Sequence, residues 1–327
     1  MTSDDWLATL PEQSRRAIEA FADAHPPGAR ARAQLAATAL LELVRGWTGE
    51  KETLGPAVDR LVAYLHSVGQ TTLHQPGVRN MIDFVLAEGL DGEVDAVANR
   101  VAARFARATE SMDAASETIA RTGADLLRDG DRILVHDYAD RSTQAVIRRA
   151  AADGKRLEVI ATACRSRRTD GIRVARESIA VGHRATVVTD AGVGWAVDRM
   201  GLRAAFMGAD ALLPDGTVLT TPGALTIALV GRMRCVPVYA VTDLWKIMGE
   251  VSADLEALNA EEDPDGVPEA LEWKAAGFDY RNPLVDIVPG VLLTELITEA
   301  GVIEPAAAGR ESNERYGLGL ASAGSER

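Results

Sequence analysis

The hydrophobic period of the chain changes near its middle. From about residue 12 to 128, apolar residues recur three and four apart: Leu35, Ala39, Leu40 and Leu43 make one stripe, and Leu54, Val58, Leu61 and Leu65 another. That spacing is the period of amphipathic helices. Pro26, Pro27 and Gly28 separate the first helix from the second. Pro76 and Gly77 open another that runs through Ile82, Phe84 and Val85, and a long helix is predicted from Gly92 to Leu127. Strand signals are absent from this half.

After Asp129 and Gly130, short β-rich runs alternate with stretches of helix length. Strands are predicted at Ile133 to His136, Leu157 to Thr162, Ala185 to Thr189, Ala204 to Met207 and Val236 to Val241. The intervening helices run from Thr143 to Ala152, Asp170 to Val181, Val193 to Met200 and Gly223 to Met233. Strand alternating with helix builds a parallel sheet covered on both faces, and such sheets bind ligands at the carboxyl ends of their strands. The expected architecture is therefore α/β, with a helical amino-terminal domain over residues 1–128 and an α/β ligand-binding domain over residues 129–327. The acidic, turn-rich stretch from Leu255 to Tyr280, including Glu261, Glu262, Asp263, Pro264, Asp265 and Gly266, reads as an exposed loop. A helix is predicted near Val291 to Ala300, and a mobile tail after Ala306.

Charge and cysteine usage then narrow the function. Among 327 residues, 35 are basic and 48 acidic, a formal charge of -13 that repels phosphate backbones and anionic lipid. Nucleic acid and membrane are therefore not expected partners. Cys164 and Cys235 stand far apart, with no partners at metal spacing, so neither a disulfide framework nor a metal site is expected. The first ten residues include Asp4 and Asp5 and do not form a secretory signal, and no apolar run reaches the roughly 20 residues of a membrane span. The expectation is a soluble cytoplasmic protein.

The candidate chemistry lies at the strand ends. His136, Asp137 and Ser142 follow the first strand; Thr162, Cys164 and Arg165 end the second; Asp190 follows the third and Asp210 the fourth. Asp210 sits between the apolar runs Ala204 to Met207 and Ala211 to Leu213, where partial desolvation suits a general acid or base and a turn cap is an equal alternative. Asp190, followed by Ala191 and Gly192, reads better as a helix cap. Arg165, with Arg167 and Arg168 behind it, is either an anion contact or part of a solvated loop. Thr220, Thr221 and Gly223 stand at a helix entrance whose free amides attract phosphate, although such a sequence is commonly only an entrance. A lone His136 is more often a satisfied strand-end histidine than a base.

Gly208, Ala209 and Asp210, then Asp215, Gly216 and Gly223, then Val236 to Tyr239, resemble the central signature of a known family. Asn282, Pro283, Asp286 and Pro289, with Leu296 to Glu299 and Gly301 to Ile303, resemble its carboxy-terminal signature. The family joins methylthioribose-1-phosphate isomerase and ribose-1,5-bisphosphate isomerase to the alpha, beta and delta subunits of initiation factor 2B. The resemblance implies a helical domain on a Rossmann-like domain, commonly a homodimer. For the enzymes it implies aldose-to-ketose isomerisation of a sugar 1-phosphate by acid/base catalysis, without metal or nucleotide cofactor. Asp210 occupies the position of the family's catalytic Asp.

Three departures matter. Where the isomerases have Thr-His-Cys, this chain reads Val135, His136 and Asp137; their Thr-Glu-Ser-Arg-Pro becomes Thr162, Ala163, Cys164, Arg165 and Ser166; and Thr220 to Ala224 lacks a lysine that the enzymes keep beside the substrate. A thiol and a carboxyl differ by over four units in reference pKa, so the proton inventory has changed. Two readings follow. In the first, the protein is a sugar-phosphate isomerase with Asp210 and Asp137 as catalytic groups, and with His136, Ser142, Cys164, Arg165, Asp190, Thr220, Thr221 and Gly223 lining the substrate site. In the second, it is a non-catalytic regulatory or ligand-binding protein like the initiation-factor subunits.

Overall fold

A computed structural model describes residues 6–22, 29–68, 76–139, 141–165, 170–248, 269–283 and 285–318. The chain divides into two compact units, Met1–Asp113 and Ala114–Arg327, whose boundary falls inside a long helix. Asp140, Arg167, Arg168 and the acidic run from Glu261 to Gly266 lie outside the described residues.

The first unit is helical throughout its described residues. It contains α1 (Glu12–Ala22), α2 (Ala29–Arg45), α3 (Leu54–Ser67), α4 (Pro76–Leu86) and most of α5 (Val94–Asp125). Of the stripes read from the sequence, Ala39, Leu40, Leu43, Leu54, Val58, Leu61, Leu65, Ile82 and Val85 are buried, as the three-and-four spacing of amphipathic helices requires, while Leu35 and Phe84 are half-buried.

The second unit is built on a seven-stranded sheet. Its strands are β1 (Arg132–His136), β2 (Glu158–Thr162), β3 (Arg184–Val188), β4 (Ala204–Met207), β7 (Val238–Val241), β9 (Glu295–Thr298) and β10 (Gly301–Ile303), in the spatial order β10-β9-β7-β4-β1-β2-β3. All pairs are parallel except the β9–β10 hairpin. Both faces are covered. On one, Leu134, Ile160, Ala205, Met207 and Val238 pack with residues of α8 (Val193–Arg199) and α9 (Ala224–Arg234). On the other, Ile133, Val135, Val159 and Phe206 pack with the end of α5 and with α6 (Thr143–Ala152) and α7 (Asp170–Ala180). This burial on two faces is why the strands read as short continuous apolar runs rather than alternating ones.

A second sheet of three antiparallel strands, β5 (Ala211–Leu212), β6 (Val218–Thr220) and β8 (Asp286–Val288), links the end of β4 to the start of α9. Three sequence expectations fail here. The segment Val291 to Ala300 is not a helix: it holds a 3₁₀ turn at Gly290–Leu292, then β9, which pairs with β7 and turns back through Gly301 at φ 106°. Leu292, Leu293, Leu296 and Ile297 satisfy a helical spacing, but a strand places Leu296 and Ile297 on opposite faces of the sheet, one in each core. The stretch Leu255 to Tyr280 is not all loop, since α10 covers Glu269–Ala275. Residues 307–318 are not a loose tail, since α11 (Ala308–Tyr316) buries Ala308, Gly309 and Ser312, while the expected tail beyond residue 318 lies outside the described residues.

Candidate functional site

Parallel pairing of β1 with β2 and β4 carries three strand ends to one place. His136 is registered against Met207, and Thr162 lies at the end of β2 beside them. His136 is buried between two fixed partners: its Nδ1 is 2.7 Å from Thr162 Oγ1, and its Nε2 is 3.0 Å from the Thr221 carbonyl. A carbonyl only accepts, so Nε2 carries the proton and donates, while Nδ1 accepts from the Thr162 hydroxyl. His136 thus ties β1 to the entrance of α9.

Immediately beyond, two residues adopt a left-handed backbone that side chains rarely occupy: Asp137 at φ 71° and Cys164 at φ 50°. Their loops meet, because the Asp137 amide donates to Cys164 Sγ at 3.3 Å and Thr162 Oγ1 is 3.2 Å from the same sulfur. Strained non-glycine backbone of this kind persists only where its surroundings over-determine it, and it concentrates at functional sites. Asp137 is buried, and one of its oxygens lies 3.7 Å from where a Cβ on Gly208 would stand; that Cβ would also come within 2.9 Å of Ala139. The missing side chain at Gly208 therefore makes room for Ala139, and the Asp137 carboxyl lies within ordinary contact distance of the same spot. Asp210 itself is half-buried, and its amide donates to the Leu219 carbonyl at 2.8 Å.

Cys164 does not supply a reactive thiol. Burial, the largest cause, pushes its pKa up to about 12, against smaller lowering from hydrogen bonds with Thr162 and Asp137. The thiolate is the reactive form, so at pH 8 an alkylating reagent should modify one thiol per native chain, the exposed Cys235. Peptide mapping would locate the modified residue. Native labelling of Cys164 at the rate of Cys235 would contradict the packing described.

Asp190 anchors the β2 loop. Its two carboxylate oxygens accept the amides of Cys164 and Arg165, both at 2.9 Å. It therefore caps across strands rather than capping its own helix. The Arg165 guanidinium turns outward to Glu269, with one nitrogen 3.0 Å from each carboxylate oxygen. The α9 entrance is likewise engaged: the amides of Gly223 and Leu225 both donate to one oxygen of Asp286, at 2.8 and 2.9 Å. The chain's own carboxylate occupies the amides at which the sequence suggests a phosphate. Gly223, at φ 111°, cannot bear a side chain there, since a Cβ would stand 2.9 Å from the His136 ring. The hydroxyls of Ser142, Thr220 and Thr221 are buried without a hydrogen-bond partner among the described residues. Among the described residues they are polar atoms near the site that remain uncommitted.

The structure adds a cation that the sequence reading passes over. Lys246 donates from Nζ to the Ala209 carbonyl at 2.8 Å, and Asp243 lies 3.9 Å from the same ammonium. Its signal is the one used for the other strands: Thr242, Asp243 and Lys246 follow β7 as His136 and Asp137 follow β1. Asp137 and Asp210 thus follow the ends of β1 and β4 with Lys246 bonded beside Asp210 at Ala209, while Ser142 stands at the entrance of α6, Thr220 at the end of β6 and Thr221 just before α9. Among the described residues no three His, Cys, Asp or Glu side chains converge as metal ligands, and no helix is long and apolar enough to cross a membrane.

Known proteins are similar to this chain in sequence and fold. The ribose 1,5-bisphosphate isomerase of Methanocaldococcus jannaschii is 30% identical over 234 residues, covering 70% of this chain and 72% of that protein. The methylthioribose-1-phosphate isomerase of Thermotoga maritima is 29% identical over 201 residues, and the match spans 58% of each chain. Of solved structures, the translation initiation factor eIF-2B of Pyrococcus horikoshii OT3 superposes with a TM-score of 0.72 at 25% identity, over 90% of this chain and 98% of that one. The 5-methylthioribose 1-phosphate isomerase of the same organism gives 0.73 at 19% identity, over 94% and 92%, and shows the shared fold. With residues 26–305 matching the initiation factor 2 subunit family, this chain belongs to that family.

Proposed function

We propose that the protein is an aldose–ketose isomerase of a sugar 1-phosphate, of the ribose-1,5-bisphosphate or methylthioribose-1-phosphate type, with Asp210 and Asp137 as its acid/base groups. The observation that carries this reading is the placement of Asp137 and Asp210 just beyond the ends of the adjacent parallel strands β1 and β4, with the Lys246 ammonium bonded to the carbonyl of Ala209. The reaction needs a group that gives a proton and one that takes it. Protonation of the ring oxygen by Asp210 lets its bond to the first carbon break. Hydrogen then moves with its electron pair from the second carbon to the first, while the hydroxyl on the second carbon gives its proton to Asp137 and becomes the ketone. One proton is donated and one accepted, so the pair returns to its starting state by exchanging a proton. Lys246 and the hydroxyls of Ser142, Thr220 and Thr221 suit a phosphoryl group and the sugar hydroxyls.

The test is to incubate the purified protein separately with ribose 1,5-bisphosphate and 5-methylthioribose 1-phosphate and to follow the ketose product by carbon NMR. Absence of product from both would remove the catalytic reading. A regulatory reading has its own support: Arg165 is engaged by Glu269 and the α9 amides by Asp286, so fewer groups remain for phosphate than the sequence suggests. Binding of either sugar phosphate without conversion would favour it.

A further inference from the structure

Glu299, half-buried, directly follows β9 and lies below the turn that carries Lys246. Both of its oxygens accept the Leu244 amide, at 3.0 and 3.1 Å, and one accepts the Tyr316 hydroxyl at 2.8 Å. The same turn is held by the Ser312 hydroxyl, which donates to the Leu244 carbonyl at 3.0 Å, and by the Trp245 ring, which lies 4.8 Å from that of Tyr316. β9 and α11 thus fix the 3₁₀ turn Leu244–Lys246 from below, while its last residue reaches the Ala209 carbonyl next to Asp210.

The titratable groups facing Glu299 are Asp243, on the turn, and Tyr316, on α11; Lys246 lies on the far side of Asp243, 3.9 Å from it. We propose that Glu299 is a positioning residue for Lys246, and that Glu299, Asp243 and Lys246 form a series of three charges in which drawing the ammonium away from Asp243 makes Glu299 take up a proton. The ligand half of this inference rests on the sugar-phosphate reading; the charge series does not. Burial, with the Asp243 carboxylate second, pushes the Glu299 carboxyl up to about 7, so it exchanges its proton near neutrality. An anion that claims Lys246 leaves Asp243 uncompensated, and the stronger negative field at Glu299 favours its neutral form. Binding is then accompanied by proton uptake, and it weakens as pH rises through the carboxyl's pKa.

The first measurement needs no ligand. The carboxyl carbon of Glu299, identified by its loss in Glu299→Gln, is titrated by NMR in wild type and in Lys246→Met. Deleting the ammonium should raise the midpoint by roughly half a unit or more. An unchanged midpoint overturns the series. Tyr316→Phe, which removes a hydrogen bond to the ionised form, should also raise it, so the claim stays testable if Glu299→Gln does not fold. The second measurement is calorimetry with ribose 1,5-bisphosphate at pH 7, in buffers of different ionisation enthalpy. Wild type should take up more protons per site than Glu299→Gln, by about half a proton or less, since ionisation of the ligand's own phosphates is common to both. Equal proton uptake by wild type and Glu299→Gln would overturn the coupling, whereas no binding heat beside a shifted midpoint would overturn the sugar-phosphate reading and leave the series standing.

Discussion

Replacing Asp210 with Asn should lower turnover of the sugar phosphate by about 100-fold to 10,000-fold, the usual cost of removing a well-placed acid or base. Asn keeps the size of the side chain and leaves the amide bond to Leu219 intact, and a melting curve recorded beside the kinetics separates lost chemistry from lost fold. Asp137→Asn should give a loss of the same order, because the reaction uses both carboxyls in one cycle. Since the two act as a unit, the double variant should be little slower than the worse of the singles. Undiminished turnover by Asp210→Asn, measured beside an unchanged melting curve, would take the residue out of the mechanism.

The second large effect is structural. Gly171, in the first turn of α7, lies so close to β2 that a Cβ there would stand 1.6 Å from the Thr162 carbonyl oxygen and 2.6 Å from its carbon. Backbone cannot swing aside as a flexible side chain can. Gly171→Ala must therefore push α7 off the sheet or displace the end of β2, which carries the Thr162 hydroxyl bonded to His136. The expected cost is roughly 3 kcal/mol, at the upper end of overpacking substitutions. Chemical denaturation would measure it. Gly194→Ala is the control, since open space surrounds that position and the same change there should cost little. Equal stability of the two variants would refute the close approach.

Much of the fold was legible because apolar runs on both faces of a central strand are hard to mistake once helices alternate with them. The β1 run Ile133, Leu134 and Val135 sends residues to both cores, as its continuous hydrophobicity suggests. The misread elements fail for separate reasons. β5 and β6 have two and three residues, too few to show a period. β9 fits a helical template by chance of spacing, and only its place beside β7 makes it a strand. α11 buries small residues, so it lacks the large apolar stripe that marks a helix from afar. In the site, the convergence of β1, β2 and β4 follows from strand order and could be anticipated. Contacts made by distant segments could not: Glu269 reaches Arg165 across 104 residues, and nothing local in either segment points to the other.

The pairing of Asp286 with the α9 entrance bears on how the second unit comes together. The carboxylate arrives from 63 and 61 positions later in the chain than the two amides it receives. Until that later stretch has docked, the start of α9 faces water with these donors unmet, and the Thr221 carbonyl that holds His136 hangs from an unfinished corner. During synthesis the sheet's central strands emerge before the piece that completes the ligand site, so a chain cut short before residue 286 would possess those strands yet lack a closed corner above them.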